Sequence, residues 1–176
     1  MEALAARVQE MRELILCTAL LATSVTVHSQ QMQAPTDSDL RTAYCIPVVQ
    51  NFLSIARSQI DSEDEYIITL HSQPDSPQRA AAEQAATKLR DDFIQGFKAA
   101  QSVLHRLQAY LIPREQYLEP MGLMVASNRG KADIKEGDDC VHACPTDQRA
   151  PECVVACSNP TKERFMGCFK PTWLPF

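Results

Sequence analysis

The sequence predicts an all-α protein: an antiparallel helical bundle around one long helix, at about residues 77–111, with a disulfide-stapled helical hairpin near the C-terminus. Three observations predict this fold. Apolar residues recur every three or four positions over long stretches, no proline separates Pro77 from Pro113, and the cysteines beyond residue 30 include two CxxxC pairs. The connections between helices are short, which favours antiparallel neighbours.

The long helix has the clearest sequence signals. Ser76 is a suitable N-cap, Pro77 suits the first helical position, and Pro113 favours an end just before it. Such a helix would be roughly 50 Å long, so other helices must cover its apolar face. That face is predicted to consist of Ala82, Ala86, Leu89, Phe93, Phe97, Ala100, Leu104, Leu107 and Leu111.

Helices are also predicted on both sides of the long one. Residues 40–60 have helical spacing, with a kink expected near Cys45 because Pro47 cannot donate to the Ala43 carbonyl. Residues 66–70 form a short β-prone run behind a cluster of acidic residues. We interpret this cluster as a solvated run of charges at a helix N-terminus, with Ser62 as its cap. Pro120 opens another amphipathic helix, for which Gly137 is the expected stop.

The N-terminal residues 1–29 are interpreted as a signal peptide. Residues 14–27 form an apolar run that is too short to span a bilayer, and Val27 and Ser29 are small residues that suit cleavage before Gln30. A start at Met11 instead of Met1 would give a more typical signal, and a buried N-terminal helix is the alternative. Residues 30–137 would then form the bundle, and residues 138–176 a cysteine-rich segment packed on the same domain of a secreted or periplasmic protein.

Removal of the signal would leave six cysteines, an even number that indicates disulfides in an exported chain. Cysteines four residues apart lie on one face of a helix, and the short stretch between the two CxxxC pairs must turn the chain back. Residues near the turn then face each other, as do residues far from it. Cys45 is left for Cys168, unless it is a buried free thiol. The predicted bonds are Cys144–Cys153, Cys140–Cys157 and Cys45–Cys168, and the alternatives are a four-thiolate zinc site or a redox-active pair.

The twin CxxxC pattern between Cys140 and Cys157 resembles the helical hairpins of the small mitochondrial intermembrane-space chaperones and of the plant α-hairpinin peptides. The resemblance covers these residues alone. It implies the geometry of an antiparallel helical hairpin and no function.

The sequence contains no recognised catalytic, nucleotide-binding or metal-binding motif, so we infer neither a cofactor nor an enzymatic activity. The net charge of −5, without a basic patch interleaved with aromatics, argues against a nucleic-acid partner. The favoured hypothesis is an exported binding or accessory module with a protein partner. A possible interaction patch consists of Phe165, Phe169, Trp173 and Phe176, and the alternative interpretation is that these side chains cover the core.

Two other hypotheses remain open. The protein could carry an apolar small ligand between its helices, with Met121, Met124, Phe93 and Phe97 as candidate wall residues. It could also be an enzyme whose catalytic residues are dispersed along the sequence.

The signal-peptide interpretation predicts that the mature protein begins near Gln30 and is found outside the cytoplasm. N-terminal sequencing of protein isolated from its source checks this prediction. A soluble cytosolic protein that retains residues 14–27 would contradict it.

Overall fold

The computed structural model describes residues 32–145 and 150–175, in which four helices confirm the predicted all-α fold. The proposed signal peptide and Phe176 lie outside these ranges. The described part contains no strand, only a one-residue bridge between Gln33 and Leu118. The helices are α1 (Asp37–His71), α2 (Pro77–Glu115), α3 (Pro120–His142) and α4 (Ala150–Phe169).

Helix α1 is longer than predicted. It begins with a capping box, in which the Thr36 hydroxyl accepts from the Asp39 amide and the Asp39 carboxylate accepts from the Thr36 amide. It then continues through Pro47, Ser62 and residues 66–70, so the prediction of a helix N-terminus at Ser62 was wrong. Ile67 and Leu70 are both buried, and their spacing of three places them on one face of a helix; this burial overrides the local β propensity.

Helix α2 is the predicted long helix, and the Ser76 hydroxyl accepts a hydrogen bond from the amide of Arg79 at its start. It continues past Pro113 to Glu115. Its fully buried residues are Ala86, Ala100, Leu107 and Leu111, which belong to the predicted apolar face. Leu89, which was predicted on the same face, is 45% exposed.

Helix α3 does not stop at Gly137, as the sequence suggested, but continues to His142. A glycine inside a helix costs only about 1 kcal/mol relative to alanine, which packing elsewhere in the helix can offset.

Gly130, on the same helix, marks a close crossing with α1. A β-carbon added there would lie 2.5 Å from the Tyr44 carbonyl oxygen and 3.2 Å from Cγ of Pro47.

Helix α1 is central to the packing, since it contacts α2, α3 and α4, while α4 also packs against α3. The larger core cluster joins α1 and α2 to the end of α4 and the segment that follows it. A smaller cluster lies where the end of α2 meets the start of α3. The buried members are Cys45, Val48, Val49, Ala100, Leu107, Cys168 and Leu174 in the first cluster, and Ala43, Leu111, Leu118 and Leu123 in the second.

An ion pair between a buried carboxylate and a partly exposed guanidinium fixes the start of α1 against the end of α2. The Asp39 side chain is fully buried, and Arg114 donates to both of its oxygens, from Nε at 2.7 Å and from Nη2 at 3.1 Å. Burial raises the pKa of the Asp39 carboxyl, but the hydrogen bonds from Arg114 and Thr36 outweigh it and hold the pKa well below its usual value. Asp39 therefore stays ionised in the folded protein at neutral and mildly acidic pH.

We predict that Gly130→Ala lowers the free energy of unfolding by about 2 kcal/mol, because the added methyl overlaps the backbone of α1, which cannot move aside as a flexible side chain can. Gly167→Ala is the matched control. A β-carbon on Gly167 meets nothing within 4 Å, so this change should be neutral or stabilise the helix by up to about 1 kcal/mol. Urea denaturation measures both variants, and equal effects would mean that the close crossing does not exist.

We predict that Asp39→Asn lowers the free energy of unfolding by about 2 kcal/mol at neutral pH, because it removes the charge that Arg114 neutralises. Since the folded-state pKa is lowered, the stabilisation is present above the unfolded-state pKa of about 4 and is lost as the pH falls toward the lower folded-state value.

Asp37→Asn is the control for this experiment, because Asp37 lies in the same first turn but is exposed. Denaturant titrations from neutral to acidic pH should show a deficit for Asp39→Asn that shrinks below about pH 4. A deficit that does not change with pH would show that ionisation of Asp39 does not contribute to stability.

Candidate functional site

Two disulfides join the C-terminal end of α3 to α4. Cys140–Cys157 and Cys144–Cys153 both span Cα atoms 5.7 Å apart, and they are nested as the sequence predicts. The sulfurs of Cys144, Cys153 and Cys157 lie within 4.8 Å of one another, which is close enough to share a metal ion. Each of them is bonded to another sulfur, however, and a disulfide has no thiolate to offer a metal.

The third disulfide, Cys45–Cys168, joins the third turn of α1 to the last turn of α4, with a sequence separation of 123. Both cysteines are buried in the larger core cluster. This bond is also the one predicted from the sequence, and it means that Cys45 is not a free thiol.

The aromatic residues proposed as an interaction patch point largely inward. Phe165, Phe169 and Trp173 are half-buried against the larger core cluster, and Phe169 meets the ring of Phe52 edge-on at a centroid distance of 5.0 Å. The indole nitrogen of Trp173 donates to the hydroxyl of the buried Thr42 at 3.2 Å. The described aromatics of this set therefore cover the core.

All four helices contribute to an apolar groove of about 580 Å³ that opens to solvent on one side. Phe165 and Phe169 form part of its wall. The complete lining is Val48, Asn51, Phe52, Ile55, Gly96, Ala99, Ala100, Val103, Ile134, Gly137, Asp138, Val141, Cys157, Ser158, Lys162, Phe165, Met166 and Phe169.

The lining residues follow the helical repeat closely. Helices α1, α2 and α3 each contribute four residues with the spacing i, i+3, i+4 and i+7, which is one face of two helical turns, about 10 Å in length. The contribution of α2 contains three small residues, Gly96, Ala99 and Ala100. Because these side chains are short, the facing helices do not fill the space between them.

The rim of the groove has both apolar and charged groups. Ile55 is 49% exposed and Met166 is 48% exposed, so large apolar side chains face solvent at its mouth. Asp138 and Lys162 provide one charge of each sign. A mostly apolar cavity with a few polar groups is the usual form of a small-molecule site.

The wall residues suggested by the sequence for a carrier were wrong. Met121 and Met124 are 65% and 52% exposed, and neither they nor Phe93 and Phe97 line the groove. The sequence does contain a signal for the groove. Gly96, Ala99 and Ala100 place three small side chains together on one face of α2, and such a group indicates space.

The described histidines do not form a recognisable catalytic arrangement. His71 Nε2 lies 2.9 Å from a carboxylate oxygen of Glu83 on the protein surface, and this hydrogen bond lowers the pKa of Glu83. In the described part of the chain, His71 contacts neither a serine hydroxyl nor a cysteine sulfur that could act as a nucleophile.

Comparison with known proteins identifies no relative. No protein-family model matches the chain, and neither a curated protein nor a solved structure matches it. Among the described residues, no helix is long and apolar enough to cross a membrane. The fold and the groove therefore define the class: an all-α, disulfide-bonded protein with a mostly apolar cavity between its helices.

Proposed function

We propose that the protein acts by binding, without catalysis, and that its apolar groove holds a small, mainly apolar molecule. The observation that carries this proposal is the groove of about 580 Å³ between four helices. Cavities that bind small molecules commonly measure roughly 300–1,000 Å³ and are lined by hydrophobic residues with a few polar groups. The groove has both properties.

The length of the groove favours a small molecule over a partner helix. Each of α1, α2 and α3 lines it for about two turns, roughly 10 Å, whereas helices in proteins average three turns or more. Asp138 and Lys162 at the rim would then contact the polar end of the ligand.

A protein partner docked over Ile55 and Met166 is the second candidate, because these apolar side chains are exposed at the mouth.

We also propose that the protein is exported to a secreted or periplasmic location. Three disulfides are typical of chains that fold in an oxidising compartment. The apolar run of residues 14–27 supports the same inference from the sequence.

Titration with N-phenylnaphthylamine, a neutral fluorescent apolar probe, tests the groove. We expect saturable binding to one site in the unmodified protein. Ala99→Phe should weaken binding by about tenfold or more, because the new ring occupies the groove while Ala99 itself is exposed and tolerates a larger side chain.

Ala85→Phe is the matched control, since Ala85 is an exposed residue of the same helix that does not line the groove. It should bind the probe as the unmodified protein does. Non-saturable binding, or equal affinities of the two variants, would refute the groove as a ligand site.

A further inference from the structure

A second pocket, of about 350 Å³, lies where α1, α3, α4 and the C-terminal segment meet, and it shares no lining residue with the groove. The Cys45–Cys168 disulfide and Trp173 form part of its wall. Three arginines on three different helices also line it: Arg41 on α1, Arg129 on α3 and Arg164 on α4. No acidic side chain is among its described lining residues.

The three arginines differ in their partners. Arg164 lies 3.5 Å from Asp133 and 3.6 Å from Glu136, so acidic groups partly neutralise it. Asp133 is shared, because it also accepts a hydrogen bond of 2.8 Å from the Tyr44 hydroxyl. Within residues 32–145 and 150–175, neither Arg41 nor Arg129 forms an ion pair with an acidic side chain. Two guanidinium groups at this pocket therefore have no carboxylate within ion-pair distance, in a chain whose net charge is −5.

The residues that line this pocket determine which kind of anion would fit in it. The Trp173 indole and the disulfide offer an apolar surface, while guanidinium groups bind carboxylates and sulfonates through paired hydrogen bonds. An inorganic anion would leave the apolar wall uncovered. A neutral apolar molecule would leave the guanidinium groups without a partner.

We propose that this pocket binds a small organic anion, with its apolar body against Trp173 and its carboxylate or sulfonate group held by Arg41 and Arg129. This site is separate from the groove and does not depend on the function proposed for it. An aromatic acid of one ring is the chemical class that satisfies both the apolar wall and the paired cations.

Fluorescence of Trp173 gives a direct test, because it is the only tryptophan in the chain and lines the pocket. The probes are benzenesulfonate and benzenesulfonamide, which have nearly the same shape but differ in charge. We expect benzenesulfonate to change the emission saturably. Benzenesulfonamide should bind about tenfold more weakly or not at all, because it cannot form charge-assisted hydrogen bonds.

Variants identify the groups responsible. Arg41→Gln and Arg129→Gln should each weaken benzenesulfonate binding by about tenfold, and both side chains are exposed, so the fold should tolerate the changes. Arg57→Gln is the control, since Arg57 is exposed on α1 and pairs with Asp61 away from the pocket. Equal affinity for the two probes, unchanged affinity in both pocket variants, or no saturable response would each overturn the proposal.

Discussion

The covalent bond between Cys45 and Cys168 is the constraint on which the rest of the structure depends. It joins α1, which contacts the three other helices, to the last turn of α4. Closing a loop of 123 residues stabilises the folded state by about 5 kcal/mol on the chain-entropy model. This is comparable to the whole net stability of many domains, so the placement of α4 depends strongly on this bond. The two nested bonds close shorter loops, and their main effect is to set the geometry of the α3–α4 hairpin.

Both cavities follow from this arrangement of helices. The groove exists because the disulfides hold α4 over a face of α2 that carries Gly96, Ala99 and Ala100 instead of large side chains. The smaller pocket exists because the bond at Cys168 brings Arg164 and Trp173 to the arginines of α1 and α3. Packing the helices more tightly would remove the first cavity, and separating α4 from α1 would remove the second.

Much of the fold could be predicted from the sequence, because it depends on regular patterns. Helical periodicity located the long helix, and the spacing of the cysteines in a turned-back hairpin fixed the nested disulfides, which leaves one partner for Cys45. The errors fell where a weak local signal met strong packing. Residues 66–70 lie inside α1 because burial of Ile67 and Leu70 is worth more than the roughly 1 kcal/mol at stake in local propensity. Gly137 lies inside α3, whose next turn carries Cys140, bonded to Cys157.

The sites were much less predictable. A cavity is the space left between several helices, so no single stretch of sequence specifies it, and the methionines chosen as candidate walls are exposed instead. The pair of Asp39 with Arg114 joins residues 75 positions apart, and the three arginines of the small pocket come from three helices. Periodicity cannot relate such residues, because their proximity is a consequence of the tertiary fold.

Native mass spectrometry of the non-reduced protein, isolated from its source without detergent, most directly tests the claim that the disulfide-held groove is a small-molecule site. We expect a population of the intact protein that carries one mainly apolar organic molecule and releases it on denaturation. The claim would be contradicted if the protein carried no small molecule and co-purified instead with a stoichiometric protein partner. If Ile55→Ser then abolished the binding of that partner, the result would favour docking of a protein at the rim of the groove.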